Sequence, residues 1–165
     1  MALTLVNENL VWQNVKAALN DANPTAQAAF AGLKAYLANQ KKGPLLQFIP
    51  FSSATAADPG INQNTGYSPI GVPAKVLALY IKKQKAVANT TPSFIRVYDA
   101  ADNATLASAL LTLTVTAVGE EAFVIHPEGH AFATDVTLSG DTGAGTGTES
   151  AAVDNGNGFI IVAAA

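Results

Sequence analysis

His126, Glu128 and His130 are the residues of this chain whose types and spacing come nearest to known chemistry. Two histidines four apart share one face of a helix, and a neighbouring carboxylate completes a common metal-ligand set. Here Pro127 and Gly129 fall between them, which argues against a helix, so the segment reads better as a turn. Asp99, Asp102 and Asn103 offer oxygen ligands suited to calcium. Their spacing matches no EF-hand loop, and Asp and Asn are ordinary turn formers. The glycine-rich run Gly140 to Gly147 has the composition of a phosphate-cradling loop. Such a loop opens a helix and often carries a lysine, and Thr148 to Asn157 offers neither. Ser68 lies in Gly66-Tyr67-Ser68-Pro69-Ile70-Gly71, which is not the Gly-x-Ser-x-Gly elbow of a nucleophilic serine. Glu120 and Glu121 are adjacent, so in a strand they point to opposite faces and do not form a catalytic pair. The chain is therefore expected to be no enzyme and to need no cofactor and no metal.

The elements that would position these residues follow from periodicity. Val11, Val15, Ala18, Leu19 and Ala22 recur at spacings of three and four, which predicts a helix with Asn7 or Asn9 at its start. Asn23-Pro24 suits the cap and first turn of a second helix burying Ala26, Ala29, Phe30, Leu33 and Leu37. Lys34, Lys41 and Lys42 fall toward its carboxyl end, and Gly43-Pro44 stops it. A helical hairpin, or one kinked helix, is expected over roughly residues 8–41. Leu45 to Phe51 is a short apolar run interrupted by Pro50, as in an edge strand. Residues 52–73 carry prolines and glycines with no period and read as an extended arm.

From Lys75 onward the pattern is of strands. Val76–Lys82 is apolar on both faces, as in a central strand, and Phe94–Tyr98 follows a turn. Leu111, Leu113 and Val115 alternate with threonines, a half-buried strand. Phe123–His126, Ala131–Leu138 and Phe159–Val162 are further strands, with Pro127-Glu128-Gly129 as a turn between the first two. Phe94, Tyr98, Phe123 and Phe132 are expected to fill the core. The fold class is mainly β (α+β overall), an antiparallel β-sandwich or jelly-roll-like domain with an N-terminal helical hairpin. The expected organisation is a helical segment 1–43, an edge strand and arm 44–73, and a sandwich 74–165.

Composition narrows the class of function. The chain has 165 residues and no cysteine, so disulfides and thiolate metal sites are excluded. Only 13% of residues are charged, against roughly 25% in average domains, so part of the surface is expected to lie under partners or to be neutral and polar. Residues 1–90 hold eight lysines and three acids, and residues 91–165 hold Arg96 and nine acids. That split suits orientation within an assembly. With one arginine and scattered lysines there is no basic stripe for nucleic acid. No apolar run is long enough to span a bilayer and none resembles a signal peptide, so no membrane partner and no classical export are expected.

Three segments carry a resemblance: Ala74-Lys75-Val76-Leu77-Ala78-Leu79-Tyr80, Phe94-Ile95-Arg96-Val97-Tyr98-Asp99, and Pro127-Glu128-Gly129-His130-Ala131-Phe132-Ala133-Thr134. Together with the Thr/Gly-rich loop and the terminal strand Gly158 to Val162, they resemble small tailed-bacteriophage virion proteins of the capsid decoration (cement) type, over about residues 74–163. Asp135 stands where that pattern ends in glycine. The resemblance implies a virion subunit made in the host cytoplasm and placed on the capsid surface. Its implied partners are the major capsid protein and other copies of itself, as a homotrimer, and it implies no catalytic residue. The expected interface is the hairpin with Trp12, Phe30, Leu33 and Tyr36, and the arm with Tyr67 and Ile70. A receptor- or carbohydrate-binding module of a tail fibre or bacterial surface is the alternative.

Overall fold

The computed structural model describes residues 8–19, 23–40, 45–52, 70–83, 93–100, 109–117, 119–141 and 156–165. The helical pattern becomes two helices, α1 (Glu8–Ala18) and α2 (Pro24–Ala38). Among the described residues seven strands follow: β1 (Leu46–Ser52), β2 (Ala74–Lys83), β3 (Ser93–Tyr98), β4 (Leu111–Val115), β5 (Glu121–Phe132), β6 (Thr137–Asp141) and β7 (Gly156–Ala164). The protein is mainly β, with two antiparallel sheets and an N-terminal helix pair. One sheet has the strand order β1-β7-β2-β5 and the other β4-β3-β6.

The larger sheet is apolar on both faces because it is covered on both. Ile49, Phe51, Val76, Leu79, Ile81, Ile160 and Val162 face the smaller sheet, where Ile95, Val97, Val115 and Leu138 meet them. On the opposite face Leu46, Leu77, Ala78, Tyr80, Phe159 and Ile161 pack under Val11, Trp12 and Val15 of α1 and Phe30, Leu33 and Leu37 of α2. Helices, large sheet and small sheet thus form three layers around two apolar seams. Phe30 anchors the helical seam. Its ring lies 5.4 Å from Phe159, 5.9 Å from Phe123 and 6.2 Å, edge-on, from Tyr80. Aromatic pairs of this kind add about 0.5–1.5 kcal/mol each beyond their buried area.

The edge and centre of the large sheet fall where the sequence places them. Among the described residues β1 pairs only with β7, and it carries Pro50 opposite Phe159, a residue that an interior strand tolerates poorly because it donates no amide. β2 lies between β7 and β5. β7, at the end of the chain, is also interior, so the sheet's centre joins segments far apart in sequence.

Two expectations are corrected. Pro127-Glu128-Gly129 is not a turn between strands, because β5 runs through it. His126 to Gly129 oppose Leu77 alone, between the pairs Ala78↔Ile125 and Val76↔His130. Gly129 takes φ 82° there, a conformation that costs glycine little. The chain crosses to the other sheet only at residues 133–136, so Ala131–Leu138 is the end of β5 and the start of β6. Lys34 lies toward the carboxyl end of α2, one turn before a last turn that holds no basic residue. Lys41, Lys42, most of the expected arm (53–69), Asp102, Asn103 and residues 142–147 of the glycine-rich run lie outside the described residues.

Gly158 is the tightest point of the central strand. A Cβ there would collide with the Tyr80 carbonyl and lie 2.5 Å from Cζ of the Phe51 ring. Gly158→Ala is expected to lower unfolding free energy by about 1–3 kcal/mol, the usual cost of overpacking. Denaturant titration checks this, and an unchanged midpoint would show that both neighbouring strands, β1 and β2, can move aside.

Candidate functional site

The residues that could do chemistry are mostly engaged in holding the fold. Asn23 caps α2: its Oδ1 accepts the amide of Ala26 at 3.1 Å. Its Nδ2 donates to Oε2 of Glu121 at 2.6 Å, and the other carboxylate oxygen of Glu121 accepts the hydroxyl of Tyr80. One asparagine therefore ends the helix and ties it to β5. Glu120 lies just before β5 and is used differently. Its Oε2 accepts the amides of Thr116 and Ala117, the latter at 2.9 Å, closing the turn before β5.

Asp99 joins two of the segments that carry the sequence resemblance. It follows β3, and its carboxylate accepts the amides of Ala133 at 2.9 Å, Thr134 at 2.6 Å and Asp135 at 3.3 Å. The Thr137 hydroxyl donates to the Ala100 carbonyl beside it. Three successive amides around one carboxylate form an anion nest. Asp99 thereby pins the crossing between the sheets, a structural task that accounts for both of its oxygens. Desolvation alone would raise its pKa, but the three amides outweigh it and hold the carboxyl below its ordinary value.

The two histidines do come together, though on an irregular strand and not a helix. Their rings lie 5.3 Å apart across the bulge, and His130 meets Phe132 edge-on at 5.4 Å. His126 Nε2 is buried with no hydrogen-bond partner among the described residues. Burial, reinforced by the neighbouring His130, lowers the pKa of His126. Glu128 instead accepts a long 3.4 Å contact from the Tyr36 hydroxyl of α2. Among the described residues no set of three His, Cys, Asp or Glu side chains could hold a metal ion.

The expected interface residues are placed very unevenly. Phe30 and Leu33 are each 2% exposed in the helical seam, Trp12 is 7% exposed, and Ile70 is fully buried between the sheets. Their apolar surface is packed in the protein's own core. Tyr67 lies outside the described residues. Tyr36, at 36%, is the one that reaches the surface. Sequence cannot separate these cases, since an apolar helix face reads the same whether a partner or the chain's own sheet covers it.

What the helices do offer outward is a surface of small residues and a cavity. Ala28, Ala31, Gly32, Ala35 and Ala38 are all exposed along α2, beside Tyr36. A Cβ on Gly32 would meet nothing within 4 Å, so nothing described in the fold requires glycine there. Between α1 and α2 lies an open cavity of about 380 Å³, lined by Trp12, Val15, Leu19, Phe30 and Ala31 with Lys16, Gln27 and Lys34. Neither feature was legible as a motif. The cavity exists because α1 packs toward β1 and α2 toward β5, the opposite edges of one sheet.

Comparison of the chain with protein-family models, with curated proteins and with solved structures returns no match. Among the described residues no helix is long and apolar enough to cross a membrane.

Two outcomes follow from the titratable groups. Asp99→Ala is expected to cost about 1 kcal/mol of stability at neutral pH, the ordinary size for hydrogen bonds that water can partly replace. Because its folded pKa is depressed, that contribution is complete above the unfolded value of 3.8 and fades as pH falls through the lower folded value. The wild-type and Asp99→Ala melting curves should therefore converge in strong acid, and a constant gap would deny the clamp. His126 is held neutral, so its contribution is present above its ordinary pKa of 6.5 and declines as pH falls below it. Melting temperature against pH should lose its slope just below pH 6.5 in His126→Gln; a retained slope would place the titrating group elsewhere.

Proposed function

We propose that the protein is a non-enzymatic structural subunit of a tailed-phage particle, a decoration protein that docks on the major capsid protein through the outer face of α2. The observation that carries this reading is Gly32. A glycine in an exposed helix interior costs about 1 kcal/mol relative to alanine, and here a side chain would meet nothing. Flanked by Ala28, Ala31 and Ala35, it makes a smooth surface on which another backbone can approach closely. The sparse charge of the chain supports the same reading. So does the Asp99 clamp, which gives a physical reason for two of the segments resembling decoration proteins to occur together.

A decoration protein stabilises a shell by burying surface across subunit joints, and its output is binding free energy. A standard interface buries about 1,600 Å² in total, more than one helix face supplies. Self-association as a homotrimer would enlarge the contact and fix several helices on one shell site.

The test is light scattering of the purified chain together with co-sedimentation on phage shells lacking it. Saturable binding at a fixed number of copies per shell is expected. Ala35→Glu should keep the melting temperature, since exposed substitutions usually stay within about 0.5 kcal/mol, and should weaken shell binding at least about tenfold, as a desolvated unpaired charge would. A well-behaved monomer that ignores shells would overturn the proposal and make glycan binding the next assay.

A further inference from the structure

We infer that two copies of the chain join through β5, pairing antiparallel about a two-fold axis so that their large sheets become one. β5 is an outer strand of that sheet, and among the described residues only β2 pairs with it. The backbone groups along its other side are a template for strand addition. Ala122, Phe123, Val124 and Ile125 follow one another there, and all four are only partly buried. Edges of this kind usually carry a charge, a proline or a bulge against unwanted pairing. β5 has its proline and its bulge at residues 126–129, past this run, and leaves the run itself open. The opposite edge of the sheet, β1, is interrupted by Pro50, which disfavours head-to-tail joining of β5 to β1. The occupant that fits β5 is therefore β5 of a second copy, and an identical contact on both sides closes the pair.

The helical layer fits the same pairing. α2 runs along β5: Asn23 at its start bonds Glu121, and Tyr36 near its end contacts Glu128. One side of α2 presents Gln27, Ala31 and Lys34 to the cavity beside α1. Ala29, Gly32 and Tyr36, spaced three and four apart, form another stripe, and Tyr36 reaches over β5 at the sheet's edge. Paired strands lie about 4.8 Å apart, while packed helices need roughly 8–10 Å. Joining two β5 strands therefore brings the two α2 flanks close together, and small residues are what leave room. Ala29 and Gly32 supply it: Gly32 is exposed, and a Cβ there would meet nothing within 4 Å. The flanks also add area that a single strand pair lacks. An axis centred on Val124 sets Phe123 opposite Ile125 of the partner subunit and stops the ladder before Pro127, which has no amide to give. The contact is separate from shell docking, which keeps Ala28, Ala31 and Ala35; Gly32 borders both. It yields dimers, or hexamers where a three-fold contact also forms.

The chain has no cysteine, so a single introduced thiol can form a disulfide only with its counterpart in another copy. Light scattering of the purified chain over a dilution series is expected to approach the mass of two or six chains of 16.9 kDa. Gly32→Arg, whose side chain meets nothing in its own copy, should halve that mass with the melting temperature retained. Val124→Cys would set two Cα atoms about 4.5–5.5 Å apart across the axis, inside the disulfide range. On mild oxidation it should form a covalent dimer at least about tenfold faster than Thr112→Cys, an exposed position on β4. A monomer or a trimer at every concentration, an unchanged mass in folded Gly32→Arg, or equal cross-linking at the two cysteines would each overturn the assignment. No shell is present in these measurements, so loss of this contact and loss of shell docking are read separately.

Discussion

Strands β1, β7, β2 and β5 carry apolar side chains on both faces, and neither face can be left to water. At about 25 cal/mol per Å² of apolar surface, two such faces set the architecture: one layer must be added on each side. The chain supplies a second sheet for one face and a pair of helices for the other. The helices are consequently part of the core and not an appendage. Phe30, Tyr80, Phe159 and Phe48 form a continuous aromatic contact through the helical seam, with Phe48 and Phe159 rings 4.8 Å apart. Opening the hairpin for a partner would expose this cluster, so recognition has to use what lies outside it.

A three-layer stack also needs its layers fixed in register, and apolar packing is poor at that because it is non-directional. Polar contacts supply the direction at two places. Asp99 fixes the passage from large to small sheet by holding three amides of the crossing. Asn23 fixes the helical layer by capping α2 and binding Glu121 at the start of β5. Both use a short side chain that satisfies backbone amides lacking partners in a regular element. Both lie at an end of a strand or helix, where such amides are exposed. The acids that looked available for catalysis or calcium are, at these positions, the fasteners between layers.

Much of this was legible in the sequence where local pattern and environment agree. The 3.6 spacing with Asn23-Pro24 marked both helices, Pro50 marked an edge strand, and the doubly apolar Val76–Lys82 marked a central one. The pattern failed where a tertiary partner overrode local chemistry. Pro127-Glu128-Gly129 has turn residues, but pairing with β2 on either side keeps β5 continuous and expels the excess as a bulge. Phe30, Leu33 and Ile70 were apolar enough for an interface, yet periodicity tells only which side of an element is apolar and not whose surface covers it. The cavity was beyond reach for another reason. It depends on the separation of two helices that dock on opposite sheet edges, a distance that no local sequence signal encodes.

The same geometry decides how recognition can be divided over the helical layer. Its inner side is sealed by the aromatic cluster, and the gap between the helices is walled by Trp12 and Phe30 from that same cluster. A ligand in the gap would therefore touch the core directly. A partner on the small-residue face of α2 would touch only backbone and methyl groups. The first contact would meet apolar walls and two lysines over a small area. The second gains little per residue and needs area, hence several copies or a broad partner surface. An assembly subunit built this way would draw its strength from repetition, while the rigid stack beneath keeps each copy's helix face in the same place.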